Sequence, residues 1–214
     1  MLVSKSIAHP DVFKHINPND NQVSYGSCQR WYPTTFQRLA GCGPCAASNI
    51  FYYLTYDQRS TADRLQSQKD WIALMKELWH YVTPSFRGVH KLSMFYKPML
   101  AFAQTKGIEL EYHLCEMPEA VYRRPTLVKV IDFLAEALDC NVPIAFLNWH
   151  NGEVKNLSRW HWVTIIQLDY EEDKSKASAT ILDEGILKKV DLALWIKTTT
   201  LGGGFVYFIK SSED

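Results

Sequence analysis

The chain has 214 residues, 47% of them apolar and 21% charged, a balance that fits a soluble globular protein with a sizeable core, either one large domain or two lobes sharing a cleft. Its 23 basic and 23 acidic side chains cancel, so nothing in the bulk charge points to nucleic acid or an anionic membrane as partner. No apolar run approaches the roughly 18 residues of a membrane helix, the first ten residues lack a secretory h-region, and five cysteines, an odd number, do not suggest a disulfide framework. The expected location is the cytoplasm, with thiols reduced.

Taken in chain order, the first forty residues are rich in Asn, Pro, Ser and Tyr and read as loop and short irregular structure. From Pro44 to about Tyr56, Ala46, Ala47, Ile50, Phe51 and Leu54 recur at helical spacing, with Pro44 suited to a first turn. A second helix fits Gln68–Tyr81, with Trp71, Leu74, Met75, Leu78 and Trp79 on one face. A third covers about Leu92–Lys106, kinked or delayed by Pro98 and stopped by Gly107. A strand follows, on the alternation of Ile108, Leu110, Tyr112 and Leu114. A fourth helix runs from Pro125 to about Asp139. Strands are then expected at Pro143–Trp149, His161–Leu168, Ala179–Asp183 and Phe205–Ile209, with a polar hairpin loop over Glu171–Ser178. Helices first and strands later indicate an α+β fold with an antiparallel sheet. Residues 1–107 form a mainly helical lobe and 108–210 a mainly sheet lobe carrying the helix at 125–139, all within a single domain.

The chemistry concentrates in Gly41-Cys42-Gly43-Pro44-Cys45-Ala46-Ala47-Ser48-Asn49. A cysteine at the start of a helix faces unpaired backbone N–H groups and the positive end of the helix dipole, and both favour the thiolate. The small residues around Cys42 leave room for a substrate chain. Such a nucleophile needs a proton partner and an oxyanion donor. His161 begins the apolar strand in Arg159-Trp160-His161-Trp162-Val163-Thr164, and Asp183 ends the next strand before Glu184-Gly185. If the two strands pair as a hairpin, the start of one lies beside the end of the other, and a carboxylate then fixes the imidazole. Asp169 ends the strand that His161 begins, roughly 25 Å away by strand rise, so Asp183 is the better orienter.

Gly41-Cys42-Gly43-Pro44 on a small-residue helix, a distant His161-Trp162-Val163-Thr164 strand and a strand ending in Asp183-Glu184-Gly185 resemble the papain-like cysteine peptidases, in particular the bacterial group related to the double-glycine leader (bacteriocin-processing) peptidases. The similarity spans about Tyr25–Lys210. It implies a papain-like fold, in which a helical part carrying the nucleophile packs on an antiparallel sheet carrying His and Asp. It also implies a catalytic triad of Cys42, His161 and Asp183, and hydrolysis or transfer of an amide or related acyl bond of a peptide or similar substrate. No cofactor, metal, nucleic acid or membrane is implied. The family also places a Gln upstream of the nucleophile as oxyanion donor, commonly about six residues before it. Here Gln37 is five residues before Cys42 and Gln29 thirteen, so either can serve, with Gln29 slightly favoured by its neighbour Trp31.

Two other readings stand beside this one. Cys42-Gly43-Pro44-Cys45 also spells the thioredoxin dithiol motif, although no apolar strand directly precedes it here. A catalytically silent peptide-binding module of the same fold is the other. Cys28, Cys115 and Cys140 read as inert core residues. His9, His15, His80, His90, His113 and His150 show no spacing that suggests a metal site.

Overall fold

A computed structural model describes residues 1–16, 21–61, 64, 65 and 67–211. In chain order the elements are β1 (Leu2–Ser6), β2 (Lys14–Ile16), β3 (Val23–Tyr25), α1 (Thr35–Ala40), α2 (Cys42–Thr55), α3 (Gln68–Trp79), α4 (Ser93–Thr105), β4 (Leu110–Met117), α5 (Leu127–Asp139), β5 (Ile144–Asn148), β6 (His161–Glu171), β7 (Ala177–Asp183), β8 (Ile186–Asp191), α6 (Leu192–Thr198) and β9 (Gly203–Lys210). Seven strands form one antiparallel sheet in the order β4-β9-β5-β6-β7-β8. β1 pairs with the far half of β6, beyond the stretch that pairs with β5. This is α+β, with helices packed on an antiparallel sheet.

Alternation along the strands sorts the helices between the two faces of the sheet. On one face, Trp162 of β6 stacks on Phe95 of α4 at 4.3 Å, and Thr164 meets Asn49 of α2. On the other, Phe146 and Phe205 pack against Trp195 of α6, and Tyr207 against Phe133 of α5. All fourteen residues of α2 are buried, so this helix is the centre of the molecule rather than an amphipathic surface helix. The apolar core runs without a break from Ile7 to Phe208.

The helix boundaries follow local chemistry. Thr34, Thr126 and Asp191 cap α1, α5 and α6 through their side-chain oxygens, and Ser67 with Asp70 closes a capping box on α3. Gly107, at φ +70°, ends α4 with bonds from Gly107 N to Gln104 O and from Ile108 N to Ala103 O. Pro98 lies within α4 without ending it.

Three segments depart from the sequence expectation. The first forty residues are not mainly loop: β1 joins the main sheet, β2 and β3 pair with each other, and α1 runs into the cysteine motif. Residues 17–20 of that stretch lie outside the described residues. β8 and α6 were not expected at all. β8 arises from a two-residue turn at Glu184-Gly185, both at positive φ (+54° and +77°), the geometry that closes a tight hairpin. Among the described residues, no helix is long and apolar enough to cross a membrane.

Candidate active site

Cys42 is the first residue of α2, where the helix's unshared N–H groups and positive end lie. The first carbonyl engaged is that of Gly41, by Cys45 N at 3.0 Å. Gly43 is there because α2 passes hard against the Gly88–Lys91 segment: a Cβ on it would stand 2.7 Å from Val89 Cγ2. Val89 in turn accepts the indole N–H of Trp162 at 2.6 Å, which ties this loop to the strand that presents His161.

The β6–β7 ladder is paired up to Thr164–Leu182, so His161 and Asp183 both sit at its open end. There His161 Nε2 meets Asp183 Oδ1 at 2.7 Å. Cys42 lines the same small cavity as the imidazole and acts electrostatically on the ring. All three side chains are buried, with Cys42 and His161 each 8% exposed and Asp183 3%. Burial by itself pulls the ring's pKa down. The bond to Asp183 and the neighbouring Cys42 thiol outweigh it and raise the pKa to about 10. Burial likewise works against the Asp183 carboxylate, but His161 and Lys188 hold its pKa below the ordinary value.

Lys188 escaped the sequence reading. It lies opposite Ile181 in the β7–β8 hairpin and is therefore the diagonal neighbour of Asp183, whose Oδ2 it reaches at 2.7 Å. The signal was the Asp183-Glu184-Gly185 turn, which puts the residues after it back alongside β7.

The two glutamines separate cleanly. Gln29 lines a small cavity of about 10 Å³ together with Cys42, His161 and Asp183. Its neighbours are held by the residue after Asp183: Cys28 Sγ donates to Glu184 Oε2 at 3.2 Å, and Arg30 Nε pairs with the same oxygen at 3.2 Å. The buried Gln29 Oε1 has no hydrogen-bond partner. Gln37 does not come to the cavity. It lies on α1, where its Oε1 accepts from Thr34 Oγ1 at 3.0 Å.

The remaining cysteines differ from one another. Cys28 and Cys45 are buried and Cys115 half-buried, whereas Cys140, expected in the core, is exposed at the end of α5. Burial pushes the Cys28 and Cys115 thiols up to about 11, and that of Cys45 well above its ordinary value. α1, a helix, leads into the Cys42–Cys45 motif where a dithiol oxidoreductase has a buried strand.

His161, Asp183 and Glu184 bring one ligand atom each within 4.8 Å of one another. Asp183 and Glu184 each already pair with a cation or ring there, Lys188 and His161 on Asp183 and Arg30 on Glu184. On the other side of Cys42 opens a cleft of about 780 Å³ between α1, the Phe86–Lys91 loop and Trp160.

No protein-family model matches the chain, and no curated protein does. Among solved structures it is similar to the crystal structure of UfSP from C. elegans, with a TM-score of 0.48 and 8% identity. That alignment covers 99% of this chain and 35% of the other, so the chain spans about a third of its neighbour's length.

Proposed function

We propose that the chain is a cysteine-dependent hydrolase of papain-like type, cleaving or transferring an amide bond through a thioester formed on Cys42. The observation that carries this is the His161–Asp183 pair at 2.7 Å, lining one small cavity with Cys42 at the N-terminus of a buried helix. It accords with the resemblance to the papain-like peptidases and, within them, to the group that processes double-glycine leaders. The substrate is a peptide or another amide or acyl compound, handled in the cytoplasm.

In this scheme His161 as imidazolium and Cys42 as thiolate form the resting pair. The sulfur attacks the substrate carbonyl carbon, and the carbonyl electrons move onto oxygen. The backbone N–H of Cys42 and the Gln29 amide face that oxygen. An amide's O and N have nearly the same shape, so Nε2 can stand where the unpartnered Oε1 of Gln29 stands and donate into the cavity. Collapse of the oxyanion breaks the C–N bond, and His161 passes its proton to the leaving nitrogen. The neutral ring then takes a proton from water, whose oxygen displaces the thiolate and releases the acid. Asp183 keeps Nε2 engaged throughout and stabilises the imidazolium.

The test is acylation by an activated ester, followed by intact-protein mass spectrometry. An acyl adduct on Cys42 that decays with time is expected, abolished in Cys42→Ala and retained in Cys45→Ser. Adduct formation that survives Cys42→Ala would refute the proposal. Equal damage from Cys45→Ser would favour the dithiol reading, and a wild type that never acylates would favour the silent binding module.

A further inference from the structure

The surface carries few large apolar side chains as exposed as Phe86 (88%), Leu39 (77%), Trp160 (60%) and Phe36 (50%), and these four meet in one place. They come from three separate segments, yet all line the 780 Å³ cleft that reaches Cys42. That volume is in the range of sites that enclose a small ligand or a few residues of an extended chain. Apolar side chains gathered at a concave site mark a place where something else is buried.

The charges of the cleft are as one-sided as its apolar lining. Arg87 and Lys91 are exposed at its wall and make no ion pair among the described residues, against the single anion Glu119. Arg87 lies over the Phe86 ring, 5.5 Å from its centre, so cation and apolar surface present as one unit. Trp160 is held at positive φ (+53°), a costly conformation for an aromatic residue, on the stretch that leads directly into His161. Its backbone N–H is anchored to Trp149 O at 3.3 Å, and its side chain lines the cleft that reaches Cys42.

From this we infer that the cleft selects a peptide segment that carries a bulky apolar side chain next to a carboxylate. The apolar side chain seats among Phe86, Leu39 and Trp160, and the carboxylate pairs with Arg87 and Lys91. This specificity rests on Cys42 being the nucleophile proposed above.

Four chloromethyl ketones of the form acetyl-X-Z-Ala test it, with Z as Phe or Ser and X as Glu or Lys. The rate of alkylation at Cys42 is read by mass spectrometry and divided by the rate with iodoacetamide, which is too small to use the cleft. The Glu-Phe compound is expected to react about tenfold or more faster than the Lys-Ser compound. Leu39→Ser with Phe86→Ser should erase the preference for Phe. Arg87→Glu with Lys91→Glu should reverse the preference for Glu over Lys. All of these residues are exposed, and an unchanged iodoacetamide rate confirms that the site is intact. Four equal rates in the wild type, or preferences that survive the substitutions, would overturn the proposal while leaving a fast-reacting Cys42 in place. A Cys42 inert to iodoacetamide and to all four compounds would remove the nucleophile and this inference together.

Discussion

Asp183 answers two donors with one carboxylate. One oxygen takes His161 Nε2 and the other Lys188 Nζ, each at 2.7 Å, while the group itself is 3% exposed. A buried carboxylate with a single partner would be a marginal anion, and the second partner keeps it charged. Lys188 also divides the field that Asp183 directs at the ring. Removing that ammonium leaves the full carboxylate charge to the imidazolium and takes away a like charge nearby. In Lys188→Met the His161 ring, raised to about 10 in the wild type, is therefore expected to titrate at higher pH. NMR titration of the ring checks this, and Lys188→Arg should restore the wild-type behaviour. A ring that titrates at the same or lower pH without Lys188 would contradict it. The meeting of His161 with Asp183 near Cys42 was legible in the sequence because each sits beside a local signal: a Gly-Cys-Gly-Pro helix start, the first residue of an apolar run and the last residue before a turn. The signal for Lys188 is that same turn, and it becomes readable only once β8 is seen to fold back alongside β7. The choice between Gln29 and Gln37 was only slightly legible, through Trp31 beside Gln29, because α1 intervenes between Gln29 and Cys42 and spacing along the chain no longer measures distance.

At the scale of elements, Asn49 is what keeps α2, β6 and the Gln29 segment together. Its Oδ1 accepts from Ser27 N at 2.9 Å and Ser27 Oγ at 3.0 Å, while its Nδ2 donates to Thr164 Oγ1 at 3.1 Å. Gly26 has no room for a side chain here, since a Cβ would lie 2.6 Å from Asn49 Oδ1. Asn49→Leu keeps the volume but leaves the Ser27 N–H and the Thr164 hydroxyl without these partners, while Ser27 Oγ keeps its bond to Cys45 O. A loss of about 2–3 kcal/mol in urea unfolding is expected, together with slower acylation as Gln29 drifts from Cys42. A change below about 0.5 kcal/mol, with acylation intact, would show that packing alone holds these elements. The long elements of this framework were readable from periodicity: α2, α3, α4 and α5 from apolar spacing, β6 and β7 from their runs and the polar turn between them. The short ones were not. β2 and β3 have three residues each and α1 six, too few for a period to show, and β1 alternates between half-buried and exposed rather than buried and exposed.

For the whole molecule, the consequence of the topology is that Cys42, the proposed nucleophile, comes from the first part of the chain and His161 and Asp183 from the last. α2 is enclosed on all sides, and the hairpin of β6 and β7 opens at the one place where the helix begins. The core runs continuously from Ile7, just after the first strand, to Phe208 in the last, so the three groups are held by one packed body. The cleft beside them could not have been drawn from the sequence, because its walls belong to segments spread from Phe36 to Leu201 that meet only in the folded chain. Everything proposed for this protein depends on sulfur and imidazole acting as a charged pair. The rate of Cys42 alkylation by iodoacetamide, followed against pH in the wild type and in His161→Ala, tests that most directly. Fast reaction persisting well below pH 7 in the wild type, and retreating in His161→Ala toward the ordinary thiol range near about 8.5, is the expected result. Identical profiles in the two proteins would contradict the pairing.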